Sequence, residues 1–243
     1  MKGDSDLVFQ LFSVSIFNQK LTIFTIPCYL RCMSRASSFA GVILAAGESS
    51  RMGRDKALLP WPPPAGGVPV SSETFLSAAI RSLSSATEFV VVVVGTNEGA
   101  LAPIIYAQGA SLTVNPDPGR GQFSSLQVGL REVLNHGRDA AMVTLVDRPP
   151  VSSTTIQTLR AAFETAGPHI WAVVPEFSGK HGHPYLASRE MIEAFLRVAA
   201  TSSARDVEHA HQAHIQYVPV VDPLVALNIN TPEDYAELSP TSS

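Results

Sequence analysis

The sequence has few cysteines and lacks a long uninterrupted apolar run. Cys28 and Cys32 are the only cysteines among its 243 residues. A CxxxC pair without further Cys or His nearby is a poor metal site, and a chain whose main part has no cysteine needs no disulfide. This usage is typical of a reducing compartment, so we expect a cytoplasmic protein.

An excess of charge of one sign is also missing. The chain has 17 Lys and Arg against 21 Asp and Glu, for a formal net charge of −4. A protein that binds a polyanion over a broad surface needs a basic face, so we expect no nucleic-acid partner. A local cationic pocket for a small anion remains compatible with this balance. The 45% hydrophobic content suffices for one sizeable α/β domain.

The first 38 residues differ from the rest of the chain. Two apolar stretches, VFQLFSVSIF and LTIFTIPCYL, are interrupted by NQK, so neither reaches the roughly 18 residues of a membrane helix. Lys2 is offset by Asp4 and Asp6, which disfavours a secretory signal. We therefore expect no membrane partner. We interpret residues 1–38 as an extension that is disordered or carries a misassigned start, with translation beginning at Met33 after the first 32 residues. We interpret residues 39–243 as the domain.

The most informative segment runs from Gly41 to Leu59 and reads GVILAAGESSRMGRDKALL. Its apolar run predicts the end of a buried strand, followed by residues small enough for a ligand to contact the backbone. The loop beyond carries Arg51 and Lys56. Peptide N–H groups and two cations favour an anionic ligand, so phosphate binding is the first hypothesis. The spacing fits neither a P-loop nor the dinucleotide fingerprint.

This segment resembles the signature of the MobA-like NTP transferases, the nucleotidyltransferases that make molybdenum cofactor dinucleotides. That signature is an LA(A/G)G turn followed by S-x-RMG-x-x-K-x-L-L. Every position is filled here, by Leu44, Ala45, Ala46, Gly47, Ser49, Arg51, Met52, Gly53, Lys56, Leu58 and Leu59. The resemblance implies nucleotide binding by residues 44–47 together with Arg51, Gly53 and Lys56. Arg51 and Lys56 would hold the β- and γ-phosphates.

Two further buried strands end in polar residues. The runs 89–94 and 140–146 precede Asn97 and Asp147 respectively, and ligands of open α/β sheets lie at the carboxyl ends of strands. Asn97 is therefore a candidate for nucleotide binding. A carboxylate in the position of Asp147 suits Mg²⁺, although an Asp that begins a turn before proline is the alternative. Asp147 with Pro149 also matches the D-x-P motif of the family.

The stretch NPDPGRGQFSSLQVGL predicts a loop and then a helix opened by Ser124 or Ser125. It resembles the family element G-x-x-x-SL-x-x-GL, whose helix start approaches the nucleotide. The resemblance makes candidates of Asp117, Gly121, Gln122, Ser124 and Ser125. Plain helix N-capping is the alternative role for the two serines.

Two segments resemble the family's contacts to the second substrate. Gly182, His183 and Pro184 match its G-x-x-GHP segment, and we expect His183 to donate to a phosphate or to nearby backbone. Arg205 matches the G-AR element, which contacts the distal part of the pterin, but the usual Gly-Asp lead is absent. Zinc binding by His181 and His183 is disfavoured by their spacing. We expect three later histidines to lie on a solvated surface, namely His209, His211 and His214.

The C-terminal NINTPED resembles the family's N-x-N-TPED or D-x-D-TPED ending. The resemblance implies that Asn228 and Asn230 supply oxygen ligands to the metal shared with Asp147. Thr231 before Pro232 is in addition a good helix N-cap. Amide oxygens are weaker metal ligands than carboxylates.

Strands and helices alternate along the chain without a detectable repeat. This order predicts a doubly wound, Rossmann-like α/β domain with a mostly parallel mixed sheet, which is the nucleotidyltransferase fold that the resemblance over residues 39–238 implies. The implied reaction is transfer of CMP from CTP to the terminal phosphate of molybdopterin, with Mg²⁺ as cofactor and a molybdenum hydroxylase as the recipient of the product.

The nucleotide and the acceptor leave alternatives open. In this family LAAG goes with cytidine and LAGG with guanosine, which favours CTP, whereas Asn228 and Asn230 resemble the guanylyl branch and favour GTP. A second alternative is a nucleotidyltransferase for another phosphorylated acceptor, such as a sugar 1-phosphate or phospholactate. The third is a non-catalytic nucleotide-binding accessory protein for a molybdenum hydroxylase.

Overall fold

The computed structural model describes residues 12–17, 20–25, 38–47, 52–64 and 72–238. The chain divides into two units, residues 1–36 and 37–243. In the first unit, β1 (Phe12–Phe17) pairs antiparallel with β2 (Lys20–Thr25). The interpretation of residues 1–38 as a disordered or misassigned extension stays a prediction, and Cys28, Cys32 and Met33 lie outside the described residues.

The second unit alternates strands and helices. Its elements are β3 (Phe39–Leu44), α1 (Phe75–Ser84), β4 (Phe89–Val94), α2 (Glu98–Ala107), β5 (Ser111–Val114), α3 (Gln122–Asn135), β6 (Ala140–Leu145), α4 (Ser153–Thr165), β7 (Ala172–Phe177), β8 (Lys180–His181), β9 (Tyr185–Ser188), α5 (Arg189–Arg197), α6 (Ala204–Ala210), β10 (Ile215–Pro219) and α7 (Pro232–Glu237).

The strands form one mixed sheet in the order β10-β7-β9-β6-β3-β4-β5, with β8 paired to β7. Strands β3, β4, β5 and β6 are parallel, as are β7 and β10, whereas β9 is antiparallel to β6 and β7. The prediction of a doubly wound, mostly parallel mixed sheet is confirmed. Its antiparallel strands, β8 and β9, lie in the C-terminal half of the chain.

Helices cover both faces of the sheet because the strand side chains alternate between two cores. Ile43 of β3 packs in a core with residues of α1, α2 and α4. Its neighbours Val42 and Leu44 pack in a second core with residues of α3 and α5. Strand β3 is buried along its whole length, so its carboxyl end is held firmly between the two layers.

Helix α3 lies unusually close to the sheet at Gly129. A Cβ atom at this position would lie 2.6 Å from Cγ1 of Val42 and 2.9 Å from Cγ2 of Val93. Only glycine permits this approach without displacing the helix. The approach sets where α3 begins, at the same edge of the sheet as the carboxyl end of β3.

Several element boundaries differ from those predicted. Helix α3 begins at Gln122 and its N-cap is Gly121, so the N-cap interpretation of Ser124 and Ser125 is wrong. Helix α2 was not predicted, since it contains Pro103 and lacks a clear apolar period. By contrast, the predicted cap Thr231 is confirmed, because its hydroxyl accepts a hydrogen bond from the backbone N–H of Asp234.

Among the helices of the described residues, none is both long enough and apolar enough to cross a membrane.

Candidate active site

The candidate site lies where the strand order changes direction. The chain passes from β3 to β4 and β5 on one side and returns to β6 on the other side of β3. In such sheets the ligand crevice lies outside the carboxyl ends of the strands at this switch point. The backbone N–H of Ala45 donates to Val93 at 2.8 Å, and that of Val146 donates to Leu44 at 3.0 Å. The turn after β3 is therefore anchored on both sides.

Two adjoining cavities open at this switch point. The first, of about 300 Å³, brings together eight of the candidate residues from the sequence, with three others beside them. Its lining is Leu44, Ala46, Gly47, Lys56, Pro118, Gly121, Gln122, Ser125, Leu145, Val146 and Asp147. The second cavity, of about 500 Å³, shares Leu44, Gly121, Gln122 and Leu145 with the first. A ligand in one cavity therefore lies next to a ligand in the other.

Lys56 is the buried cation of the first cavity. Its Nζ donates to Oδ1 of Asn230 at 3.3 Å and lies 3.7 Å from Oδ2 of Asp147. Lys56 opens a 3-10 turn whose first N–H groups are capped by Asp55, with Oδ1 of Asp55 accepting from Ala57 at 2.9 Å. A buried ammonium is stable only when it is paired. The structure thus places three of the predicted site residues in one polar cluster.

Asp147 follows β6, and one of its carboxylate oxygens is unsatisfied. Oδ1 is buried and has no hydrogen-bond partner among the residues that the structure describes. The carbonyl of Asp147 accepts from the N–H of Ile229 at 2.9 Å, which holds the segment of Asn228 and Asn230 beside it. A buried acceptor without a donor is costly and calls for an explanation. A bound cation would provide that partner.

The donor set around Asp147 fits a hard divalent cation. Such a cation prefers carboxylate and amide oxygens, and Mg²⁺ usually takes one or two carboxylates with phosphate oxygens and water. Asp147 offers a carboxylate oxygen and Asn230 an amide oxygen. Both side chains contact the ammonium of Lys56. Asn228 is exposed two residues before Asn230, and its part in the metal site stays a prediction.

Asn97 is bonded to protein groups rather than turned into either cavity. Its Nδ2 donates to the carbonyl of Ala45 at 2.9 Å and to Oδ2 of Asp55 at 2.6 Å, while its Oδ1 accepts from Gly95 at 3.1 Å. These bonds connect the turn after β3, the turn after β4 and the loop before Lys56. Direct nucleotide binding by Asn97 stays a prediction.

Asn115, the first residue of the stretch that predicts a loop and then a helix, organises the start of α3. Its buried Nδ2 donates to the hydroxyls of Ser124 and Ser125, both at 2.9 Å, and its Oδ1 accepts from Asp117 at 3.0 Å. Ser125 thereby reaches the first cavity. Asp117 is exposed and lines neither of the two cavities, whereas the next residue, Pro118, lines the first.

The second cavity is rich in cations. Among the described residues, three arginines, Arg120, Arg148 and Arg205, line it together with His183, and Glu208 is the one carboxylate. Arginine is well suited to phosphate because its planar fork donates paired hydrogen bonds. The structure therefore brings the predicted residues His183 and Arg205 together, although they are far apart in sequence.

The segment before β9 is packed tightly against a turn near the C-terminus. A Cβ atom on Gly182 would overlap the carbonyl of Val225, and the N–H of His183 donates to the same carbonyl at 2.9 Å. Burial, with a smaller effect from the charge of Arg148, lowers the pKa of His183 to about 4. His183 is therefore neutral near pH 7 and contributes shape and hydrogen bonding, not charge.

Three charged residues of the second cavity, Arg120, Arg148 and Glu208, were not found from the sequence. Arg148 donates to the carbonyl of Leu227 at 3.2 Å, and its buried Nε has no partner within the described part of the chain; burial lowers its pKa while Asp147 opposes that change. Burial raises the pKa of Glu208, against the effect of Arg205. The sequence offered one indication that Arg148 belongs to the site, its position directly after Asp147.

The remaining predicted residues lie elsewhere. Arg51 and Ser49 are outside the described residues, and Gly53 has a φ of 67°, which explains the glycine. Pro184 lies next to a small cavity that Arg148 also lines. We expected three histidines on a solvated surface. His209 is exposed, whereas His214 is half-buried because its ring stacks on Trp171 at a centroid distance of 4.0 Å.

The sheet order and the switch-point site define the class as an α/β nucleotidyltransferase fold. Residues 41–215 match the model of the family described as MobA-like NTP transferase domain. The chain therefore belongs to the MobA-like NTP transferase family and is a nucleotidyltransferase, which confirms both expectations from the sequence.

Relatives of both nucleotide specificities are similar to this chain. The molybdenum cofactor guanylyltransferase of Xanthomonas euvesicatoria pv. vesicatoria is 30% identical over 209 residues, covering 85% of this chain and 97% of the relative. The molybdenum cofactor cytidylyltransferase of Escherichia coli is 25% identical over 197 residues, covering 80% and 92%. Sequence identities this similar do not show whether the chain uses CTP or GTP.

Solved structures share the fold. The crystal structure of Rv0371c from Mycobacterium tuberculosis superposes with a TM-score of 0.68 at 24% identity, over 83% of this chain and 98% of that chain. A second crystal structure of Rv0371c is a complex with manganese, with a TM-score of 0.63 at 21% identity, over 83% and 98%.

Proposed function

We propose that this protein transfers CMP from CTP to the terminal phosphate of a molybdopterin-type acceptor and releases pyrophosphate. The observation that carries the proposal is the placement of Lys56 against Asp147 and Asn230 in one cavity, directly beside a second cavity lined by three arginines. The first suits a nucleoside triphosphate and the second a phosphorylated acceptor. The relatives named as molybdenum cofactor guanylyl- and cytidylyltransferases support this choice of acceptor.

The chain's own residues would act by positioning and by charge neutralisation. The acceptor phosphate attacks the α-phosphorus in line and the pyrophosphate leaves. A phosphate nucleophile is already ionised near pH 7, so no general base is required. Lys56 would bind the β- and γ-phosphates and stabilise the negative charge of the departing pyrophosphate. Such electrostatic stabilisation is large in a preorganised site. Arg51 would assist Lys56.

Asp147, with the amide oxygens of Asn230 and Asn228, would hold a divalent cation, for which we propose Mg²⁺. Such an ion neutralises phosphate charge and orients the triphosphate. The unsatisfied Oδ1 of Asp147 supports this assignment. The manganese complex of Rv0371c supports a divalent metal in proteins of this fold.

The preference for CTP rests on Ala46. This residue lines the first cavity and lies against Gly95, where even a Cβ atom would come within 2.9 Å of the Ala46 carbonyl. The methyl group of Ala46 occupies volume that a glycine would leave free, which favours the smaller pyrimidine base. The LAAG form of the turn supports the same choice, while Asn228 and Asn230 favour GTP. A cytoplasmic location and delivery to a molybdenum hydroxylase belong to the same proposal.

Pyrophosphate release with Mg²⁺ and molybdopterin, measured side by side with CTP and GTP, tests the proposal. We expect release with CTP, and we expect Ala46→Gly to shift the preference towards GTP. Release with GTP alone would replace the cytidylyl assignment by the guanylyl one. Nucleotide binding without release, with molybdopterin and then with sugar 1-phosphates and phospholactate, would favour the accessory-protein alternative.

A further inference from the structure

Glu208 is a single carboxylate among the cations of the second cavity. It lies on α6, three residues after Arg205, and both side chains line the cavity with His183 and Tyr185. No residue within the described ranges makes a hydrogen bond or a salt bridge with the Glu208 carboxylate. A carboxylate has room for several donors, so its acceptor capacity is available to a ligand.

The surroundings of Glu208 shield it in part from bulk water. Burial raises its pKa, and its charge in turn contributes to the raised pKa of Tyr185, which shows that the two groups are electrostatically close. Arg205, on the same helix, opposes the effect of burial on the pKa of Glu208. The Glu208 carboxylate is half-buried and has no donor among the described residues, so water or a bound partner supplies its hydrogen bonds.

The rest of the cavity suits a flat ring with a phosphate arm. Its apolar wall consists of Leu44, Phe123, Leu126, Val143 and Leu145, and its cations are the three arginines. The volume of about 500 Å³ is in the range of ordinary small-molecule sites, roughly 300–1,000 Å³. Phosphate would pair with arginine, which leaves the carboxylate for a different part of the same acceptor.

We propose that Glu208 is a specificity-determining residue, which accepts hydrogen bonds from the ring N3–H and the 2-amino group on the pyrimidine edge of a pterin acceptor. This inference rests on the proposed function, since it assigns the ring-recognising group of the acceptor cavity. Two parallel N–H donors on a planar edge match the two oxygens of a carboxylate, and bonds to an ionised acceptor are the stronger kind. A site built in this way rejects an analogue that lacks one donor.

Pterin and lumazine form the discriminating pair of probes. Lumazine has a carbonyl oxygen where pterin has the 2-amino group, so a carboxylate meets one donor and one repelling acceptor. The amide of Glu208→Gln instead accepts from N3–H and donates to that carbonyl, which matches lumazine. Binding of both fluorescent compounds is measured by equilibrium titration with the wild-type chain, Glu208→Gln and the control Glu98→Gln, an exposed residue on α2 at the other face of the sheet.

We expect the wild-type chain and Glu98→Gln to bind pterin about tenfold or more tightly than lumazine, and Glu208→Gln to remove or reverse this ratio. If Glu208 had only a structural role, Glu208→Gln would weaken the binding of pterin and of lumazine equally. Equal loss for both, an unchanged ratio in Glu208→Gln, or no binding of pterin to the wild-type chain would each overturn the inference. The proposed function can fail separately. If the wild-type chain discriminates between the probes but releases no pyrophosphate, the role of Glu208 stands and the transfer reaction is contradicted.

Discussion

Asn97 donates a hydrogen bond to the carboxylate of Asp55 at 2.6 Å, although the two residues are 42 positions apart. Asp55 in turn caps the 3-10 turn that begins with Lys56. The same amide nitrogen of Asn97 holds the carbonyl of Ala45 at 2.9 Å. Asn97 thereby sets the distance between the turn after β3 and the cation of the first cavity, which is a positioning role.

We predict that Asn97→Ala lowers kcat with a smaller change in the KM for nucleotide. Loss of both bonds frees the Lys56 turn, and a shift of about 1 Å at a reacting centre can cost on the order of 100-fold. Steady-state pyrophosphate release measures the effect. Asp55→Ala should give a similar loss, and the double variant should be no worse than either single one, because both remove the same connection. Additive losses would instead favour direct contact of Asn97 with the nucleotide.

Asp147→Asn should lower kcat by about 10³-fold, a value typical for the loss of a group that stabilises transition-state charge. Its folded state should persist, since the amide occupies the same volume and the unsatisfied Oδ1 of Asp147 makes no hydrogen bond within the described chain. We also expect Mg²⁺ to tighten CTP binding to the wild-type chain and to have little effect on the variant. Calorimetric titration with and without Mg²⁺ provides the measurement. Turnover at the parent rate would remove Asp147 from the mechanism.

The sequence predicted the first cavity better than the second. Leu44 ends a buried parallel strand, and Ala46, Gly47 and Asp147 follow such strands. The carboxyl ends of parallel strands meet at one edge by geometry alone. Local pattern was therefore sufficient. Lys56 follows one of these ends in the sequence, and the signature spacing identified it.

The second cavity depends on tertiary packing that no local pattern records. Glu208 reaches it because α6 lies near β9, and β9 itself is inserted antiparallel between β6 and β7. The order of strands that are distant in sequence is set by contacts among whole layers. The bonding of Asn97 was unpredictable for the same reason, since its partner Asp55 precedes it by a helix and a strand.

Stability should depend on His183 in acidic solution. Its pKa is about 4 in the folded chain against an ordinary value of 6.5, so between these pH values the unfolded chain binds more protons. The contribution of His183 to stability is therefore complete above about pH 6.5 and decreases as the pH falls towards 4, by at most about 1.4 kcal/mol per pH unit.

Urea unfolding of the wild-type chain and His183→Gln at several pH values isolates this contribution, because all other groups titrate in both proteins. The wild-type chain should lose more stability than the variant between pH 6.5 and 4.5. A difference between the two proteins that stays constant over this range would contradict the lowered pKa.

The two helical glycines Gly129 and Gly99 should respond to alanine in opposite directions. A Cβ on Gly129 meets the buried side chains of Val42 and Val93, whereas nothing lies within 4 Å of a Cβ on Gly99. Overpacking costs typically about 1–3 kcal/mol, and alanine returns at most about 1 kcal/mol of helix propensity. Urea unfolding should therefore show Gly129→Ala destabilised by about 1–2 kcal/mol and Gly99→Ala unchanged or slightly stabilised.

Gly129→Ala should also reduce turnover, because α3 carries Gln122 and Ser125 into the first cavity. Displacement of the helix from β3 moves both residues relative to Asp147. Val42→Ala in the same chain removes the Cγ1 methyl that the new Cβ meets at 2.6 Å, while Cγ2 of Val93 stays 2.9 Å away. The double variant should therefore recover part of the turnover lost in Gly129→Ala, even where the smaller side chain at position 42 lowers stability. If Val42→Ala leaves the turnover of Gly129→Ala unchanged, close packing of α3 on β3 is not what positions its N-terminal residues.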